Sequence, residues 1–182
     1  MRKTILIFWI FASLGMSTRG DDEASLASPM RRSLLGIREV AVSVEVLVDP
    51  NDSRFNDGQL VTDSFGDAIE KQLHDAGVPL TSLKDATLFS KKGAVLSLKL
   101  VCWPVPAQEN GVSKLMVSHM QLQIEQPVRP VNNPQVLIPQ AVTWSVSSTA
   151  VGQIGAWQTV QKSADDLTQK FITAYFSTHM RR

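Results

Sequence analysis

The sequence predicts an α+β fold: a two-layer sandwich whose four-stranded, largely antiparallel sheet carries two helices on one face, in the order β-α-β-β-β-α. Two observations carry this prediction. Four segments alternate apolar with mixed or polar residues, the pattern of strands that bury one side only; strands buried on both sides read as unbroken apolar runs. Two longer segments repeat apolar residues at three- and four-residue steps, so each offers a stripe able to cover the buried side of the sheet.

The first strand is expected from Ile37 to Val48. Val40, Val42, Val44, Val46 and Val48 share one face, and Ala41, Ser43, Glu45 and Leu47 share the other. Asp49-Pro50-Asn51-Asp52 ends it. A helix follows, capped by Asn56 or Asp57 and running to about Ala76, with Leu60 or Val61, Phe65, Ile69 and Leu73 as its stripe. Gly77 is placed as the residue just past its end, and Pro79 prevents continuation.

Ala94 to Trp103 forms the second strand. Leu96, Leu98, Leu100 and Cys102 face one way; Val95, Ser97, Lys99, Val101 and Trp103 face the other. Pro104 and Pro106 terminate it, because proline donates no ladder hydrogen bond. Lys114 to Glu125 is the third strand, with Met116, Met120, Leu122 and Ile124 opposing Val117, His119, Gln121, Gln123 and Glu125. A proline-spaced connection with a turn at Asn132-Asn133 leads to a fourth strand, Ala141 to Ser147, in which Val142, Trp144 and Val146 share a side. After a loop holding Gly152 and Gly155, the residues Trp157, Val160, Ala164, Leu167, Phe171, Ala174 and Tyr175 mark the last helix.

The N-terminus reads as an address. Arg2 and Lys3 precede the apolar run Thr4–Ala12, and small residues around Gly15 and Ser17 follow, the pattern of an export signal. The run falls short of the ~20 apolar residues that a membrane-spanning helix needs. Residues 1–20 are therefore expected to be a leader, 21–34 a linker and 35–178 a single domain, working in the periplasm or outside the cell. No cysteine stands at the end of the leader to carry acyl chains, so a soluble mature form without a membrane anchor is expected.

Composition excludes several classes. A net charge of +1 and the absence of basic residues interleaved with aromatics give no footprint for nucleic acid. Cys102 is the only cysteine, which forbids an internal disulfide and reads as a small core hydrophobe. His74, His119 and His179 lack metal-ligand spacing, and no Gly-x-Ser-x-Gly or phosphate-loop motif is present. No catalytic residue, metal or cofactor is expected.

Leu35-Gly36-Ile37, the valine strand, the helix from Thr62-Asp63 to Ala76-Gly77-Val78, and Thr143-Trp144-Ser145 together have a familiar look. So do Gly152, Gly155, Leu167, Phe171-Ile172 and Tyr175. In these segments the chain resembles small exported bacterial proteins of unknown function. Its element order is also similar to that of periplasmic assembly domains, such as the lipopolysaccharide-assembly lipoprotein and transport-auxiliary proteins, although it lacks their lipid-attachment cysteine. The resemblance implies an envelope protein or lipid as partner and supplies no catalytic residues.

The candidate surface is apolar. Leu47, Val101, Trp103, Leu115 and Val117 belong to the sheet face left uncovered, with Val136, Leu137 and Ile138 in the connection near it. If contiguous, they form a contact patch; alternatively the connection folds over that face and hides it. Two other classes remain open: a small hydrolase using Ser148 and Asp165, with the run Ser147-Ser148-Thr149 placed in the loop before the last helix, and a purely structural domain.

Overall fold

The computed structural model describes residues 33–48, 58–87, 93–105, 114–155 and 157–179. The expected leader, all but the end of the linker, the turn at Asp49–Asp52 and the caps Asn56 or Asp57 lie outside the described residues.

The expected sandwich is present. Strand β1 spans Glu39–Leu47, helix α1 Gly58–Asp75, helix α2 Leu83–Thr87, strand β2 Gly93–Pro104, strand β3 Leu115–Val128, strand β4 Ile138–Gln153 and helix α3 Trp157–His179. The sheet order is β1-β2-β3-β4. β1 and β2 run parallel, joined by the crossover that contains α1, while β2, β3 and β4 form an antiparallel meander.

The buried side follows the alternation. Val40, Val42, Leu96, Leu98, Leu100, Met116, Met120, Leu122, Ile124 and Trp144 point into the core, and Cys102 joins them. α1 contributes Val61, Phe65, Ile69 and Leu73, the expected stripe, and α3 contributes Val160, Ala164, Leu167, Phe171 and Tyr175. Each large side chain buried this way is worth roughly 1.5–3 kcal/mol. α1 rides on β1, α3 on β4 and β3, and the two helices pack against each other.

The end of α1 shows why Gly77 stands where it does. Its φ is 79°, a left-handed conformation that residues with a Cβ adopt at a cost. That turn lets Val78 N–H donate to the Leu73 carbonyl and Gly77 N–H to the His74 carbonyl, both at 2.9 Å. The chain then runs along β1, where Val40 N–H donates to Pro79 O at 2.9 Å and Thr81 N–H to Val40 O at 3.0 Å.

Three features differ from expectation. The five-residue helix α2 is too short to show a period, and it sits against β2 and β1. β4 extends to Gln153, so Ser147, Ser148 and Thr149 lie inside a strand and not in the loop before the last helix. Finally, Val142 is exposed instead of sharing the side of Trp144 and Val146. The cause is a break in register: Ile124 pairs with Trp144 but Glu125 pairs with Val142, leaving Thr143 as an extra residue. Such a bulge reverses the alternation beyond it. Gln126 Nε2 fills the gap, donating to Thr143 Oγ1 and to Ser33 O, both at 3.0 Å.

Candidate functional site

The sheet side opposite the two long helices is banded, and the register sets the bands. Ser43, Ser97, Gln123 and Ser145 form one row; Glu45, Lys99, Gln121 and Ser147 form the next. Then come Leu47, Val101, His119 and Thr149, and finally Trp103, Val117 and Val151, with Leu115 beside them at the start of β3. The face is therefore polar in its middle and apolar at the end where β2 leaves the sheet.

The two ends differ in cover. Ala41, Ser97 and Gln123 have open-side parity yet are buried. The short helix α2 contacts β1 and β2, and its Ala86 is buried outside the main core cluster. At the other end no described helix intervenes. Leu47 is 48% exposed, Trp103 43%, Leu115 46% and Val151 62%, while Val101 and Val117 between them are half-buried. A cluster of this kind costs free energy in water, because each apolar side chain there retains hydrated surface that burial would remove.

The border of the patch is polar and close to neutral. His119 Nδ1 and Thr149 Oγ1 are 3.1 Å apart across the β3–β4 ladder. Lys99 Nζ lies 3.8 Å from Glu125 Oε1, which also accepts a hydrogen bond from Gln123 Nε2 at 2.6 Å.

Register thus brings together Leu47, Val101, Trp103, Leu115 and Val117, and it adds Val151. It does not bring in Val136, Leu137 and Ile138. Ile138 pairs with Val128, at the far end of β3 from Val117. Eleven strand steps at ~3.3 Å each put roughly 35 Å between them. The connection is closed on itself there: Arg129 Nη1 donates to Pro134 O at 2.8 Å, and Asn133 N–H to Pro130 O at 3.1 Å. Residues 131–140 are all exposed, so this connection neither joins the patch nor covers it. Val151 was missed because the hydroxyl run before it reads as the end of the strand.

The elements proposed for a hydrolase are separated in function. Asp165 Oδ1 accepts from Gln72 Nε2 at 2.6 Å and from Gln161 Nε2 at 2.9 Å, a tie that holds α1 to α3. Ser148 lies opposite Met120 within the sheet and makes no hydrogen bond to a histidine or carboxylate among the described residues. A nucleophile needs a base within hydrogen-bond reach. Near Asp165 a cleft of about 550 Å³ opens between the helices, with Val61, Phe65 and Trp157 at its apolar part and Lys162 at its rim.

The remaining titratable groups are dispersed. Cys102 is buried, and burial pushes its thiol up to about 11, away from the thiolate that nucleophilic or redox chemistry requires. Because the unfolded thiol ionises nearer 9, this group weakens the fold as pH rises from about 9 towards 11. His179 ends α3, with Nε2 3.0 Å from Ile37 O and its ring stacked on Tyr175. Among the described residues no group of three or more His, Cys, Asp or Glu side chains is arranged to hold a metal. No described helix is long and apolar enough to cross a membrane.

No family model matches the chain, and no curated protein matches it. Among solved structures, it is similar to a PelC dodecamer from Paraburkholderia phytofirmans, at 18% identity and a TM-score of 0.39, covering 81% of this chain and 89% of that one. It is also similar to a minor lipoprotein from Acinetobacter baumannii, at 15% identity and a TM-score of 0.35, covering 79% and 95%. A third is the hypothetical protein CT253 from Chlamydia trachomatis, at 10% identity and a TM-score of 0.37, covering 79% and 97%. At these TM-scores the likenesses carry no statement about the activity or partners of this chain.

Proposed function

We propose that this chain is an exported, non-enzymatic binding domain that engages a partner protein of the cell envelope through the apolar end of its open sheet face. The observation that carries the reading is the register-built cluster of Leu47, Val101, Trp103, Leu115, Val117 and Val151 on the sheet side opposite the two long helices. The basic, apolar and small-residue order of the first twenty residues supports export. A protein suits the surface better than a lipid. The neighbouring row pairs Glu45 with Lys99, so the border offers no excess of basic groups for anionic headgroups. An apolar centre with an aromatic anchor and a polar rim is the anatomy of a protein interface.

Trp103 is the anchor expected to dominate. Replacing it by glutamate should weaken capture of the envelope partner by about 30-fold or more, the size of an interface hot spot of at least ~2 kcal/mol. Val131→Glu, in the exposed connection at the other end of the sheet, should leave capture unchanged. Equal capture by the Trp103→Glu variant and the unaltered protein would remove this surface from consideration. Loss of capture in both variants would show that charge, and not this patch, is what the assay reads.

A further inference from the structure

β4 is an edge strand: it pairs with β3 and with no other strand among the described residues. Its sixteen residues, Ile138–Gln153, contain no charged side chain, and its one proline, Pro139, stands at the beginning. In an antiparallel strand, alternate residues turn their N–H and C=O groups away from the neighbouring strand. From Trp144 to Gln153 that outward series has no backbone partner among the described residues. Natural edges are usually blunted by lysine, proline or a bulge. Here the bulge and the Ser33 Oγ to Thr143 O hydrogen bond, at 2.6 Å, lie at one end of the free stretch and leave the rest unprotected.

We propose that this edge joins a second copy of the same chain, β4 against β4 in antiparallel fashion, to make one continuous sheet across a two-fold axis. The proposal does not rest on the partner surface described above. Its second support is charge. Beside the free edge runs a groove of about 530 Å³, lined by Trp144 and Val146 from β4 and by Asp166, Gln169, Lys170 and Thr173 from α3. α3 rides over β4 and β3, so a continuous sheet sets the two copies of α3 side by side and antiparallel. A two-fold axis makes residue i of one copy meet residue j of the other, and j meet i. One acid and one base a turn apart on this groove suit that rule: Asp166 of each copy faces Lys170 of the other, twice over. On the strand itself, Ser145, Ser147 and Thr149 are small and uncharged, so no like charges meet across the joint.

The test is the solution mass of the full chain against concentration, by sedimentation equilibrium. The chain is 20.0 kDa, and the unaltered protein should reach twice that mass. Asp166→Lys should raise the dimer dissociation constant at least tenfold by placing two lysines of one copy against those of the other. Asp166→Lys combined with Lys170→Asp restores the opposite-sign pairs and should restore the dimer. Asp166 is exposed and bonded to no described residue, so its substitution leaves the fold intact. Ser147→Lys, on the strand, should also shift the chain towards monomer. A monomer at every concentration, as when residues before Ser33 occupy the edge, would overturn the proposal. So would a dimer indifferent to Ser147→Lys and to both charge variants.

Discussion

An aspartate at Leu98 is expected to leave the chain unable to fold. Leu98 is fully buried on the central strand β2, aligned with Val44 on one side and Leu122 on the other. Leu122 belongs to the core and Val44 packs against it, and none of the core positions around them carries a cation. A carboxylate there must either remain ionised without a partner or take up a proton, and either route costs several kcal/mol. Costs above about 4–5 kcal/mol are rare for single substitutions and approach the total stability of a domain, ~5–15 kcal/mol. Gln121→Asp provides the contrast. Gln121 lies on the opposite side of the sheet in line with Lys99, where water and a nearby ammonium meet the new charge. Its cost should stay below about 1 kcal/mol. Circular dichroism of the two variants reads the difference directly.

Phe171→Ala should be the most damaging neutral change in α3, at about 3–5 kcal/mol. The Phe171 ring is fully buried and meets Trp144 edge to face, with centroids 5.4 Å apart, and its other neighbour Tyr175 is 6.0 Å away. Removing it leaves a void between α3 and β4 that the rigid indole of Trp144 does not fill. For a domain of roughly 150 residues the midpoint of thermal unfolding should fall by about 6–20 °C. Phe171→Leu retains most of the volume and should cost no more than ~1.5 kcal/mol. Equal losses for alanine and leucine would show that ring geometry, and not filled volume, dominates this contact.

The layers of this fold were legible because period and burial coincide. The valines of β1, the stripe from Val61 to Leu73 and the run from Val160 to Tyr175 each carry the period of the element they form. The glycine that ends α1 was legible for a backbone reason, since a left-handed residue at that point favours Gly. What stayed hidden depends on partners. α2 is a helix of five residues without a full period. The bulge at Thr143 turns Val142 outward, and that reversal exists only in the pairing of β4 with β3.

The same distinction governs the candidate site. Alternation identified Leu47, Val101, Trp103 and Val117 as sharing a side of the sheet, because side-chain direction is a local property of a strand. Contiguity is not local. Whether Val136–Ile138 lies near Trp103 is fixed by which end of β3 the connection leaves, and it leaves at Val128. Val151 escaped notice for a related reason: Ser147, Ser148 and Thr149 have the composition of a loop, but pairing with Gln121, Met120 and His119 holds them in a strand.

The sheet hides one side beneath two helices and leaves the apolar end of the other in water. Oxidative footprinting of the isolated chain by hydroxyl radicals, read tryptophan by tryptophan in a mass spectrometer, tests this most directly. Trp103 should be modified readily, whereas Trp144, only 7% exposed and locked against Phe171, should be protected until the chain unfolds. Equal protection of the two in the isolated, folded chain would mean that the face around Trp103 is already covered, and the proposed contact surface would not exist.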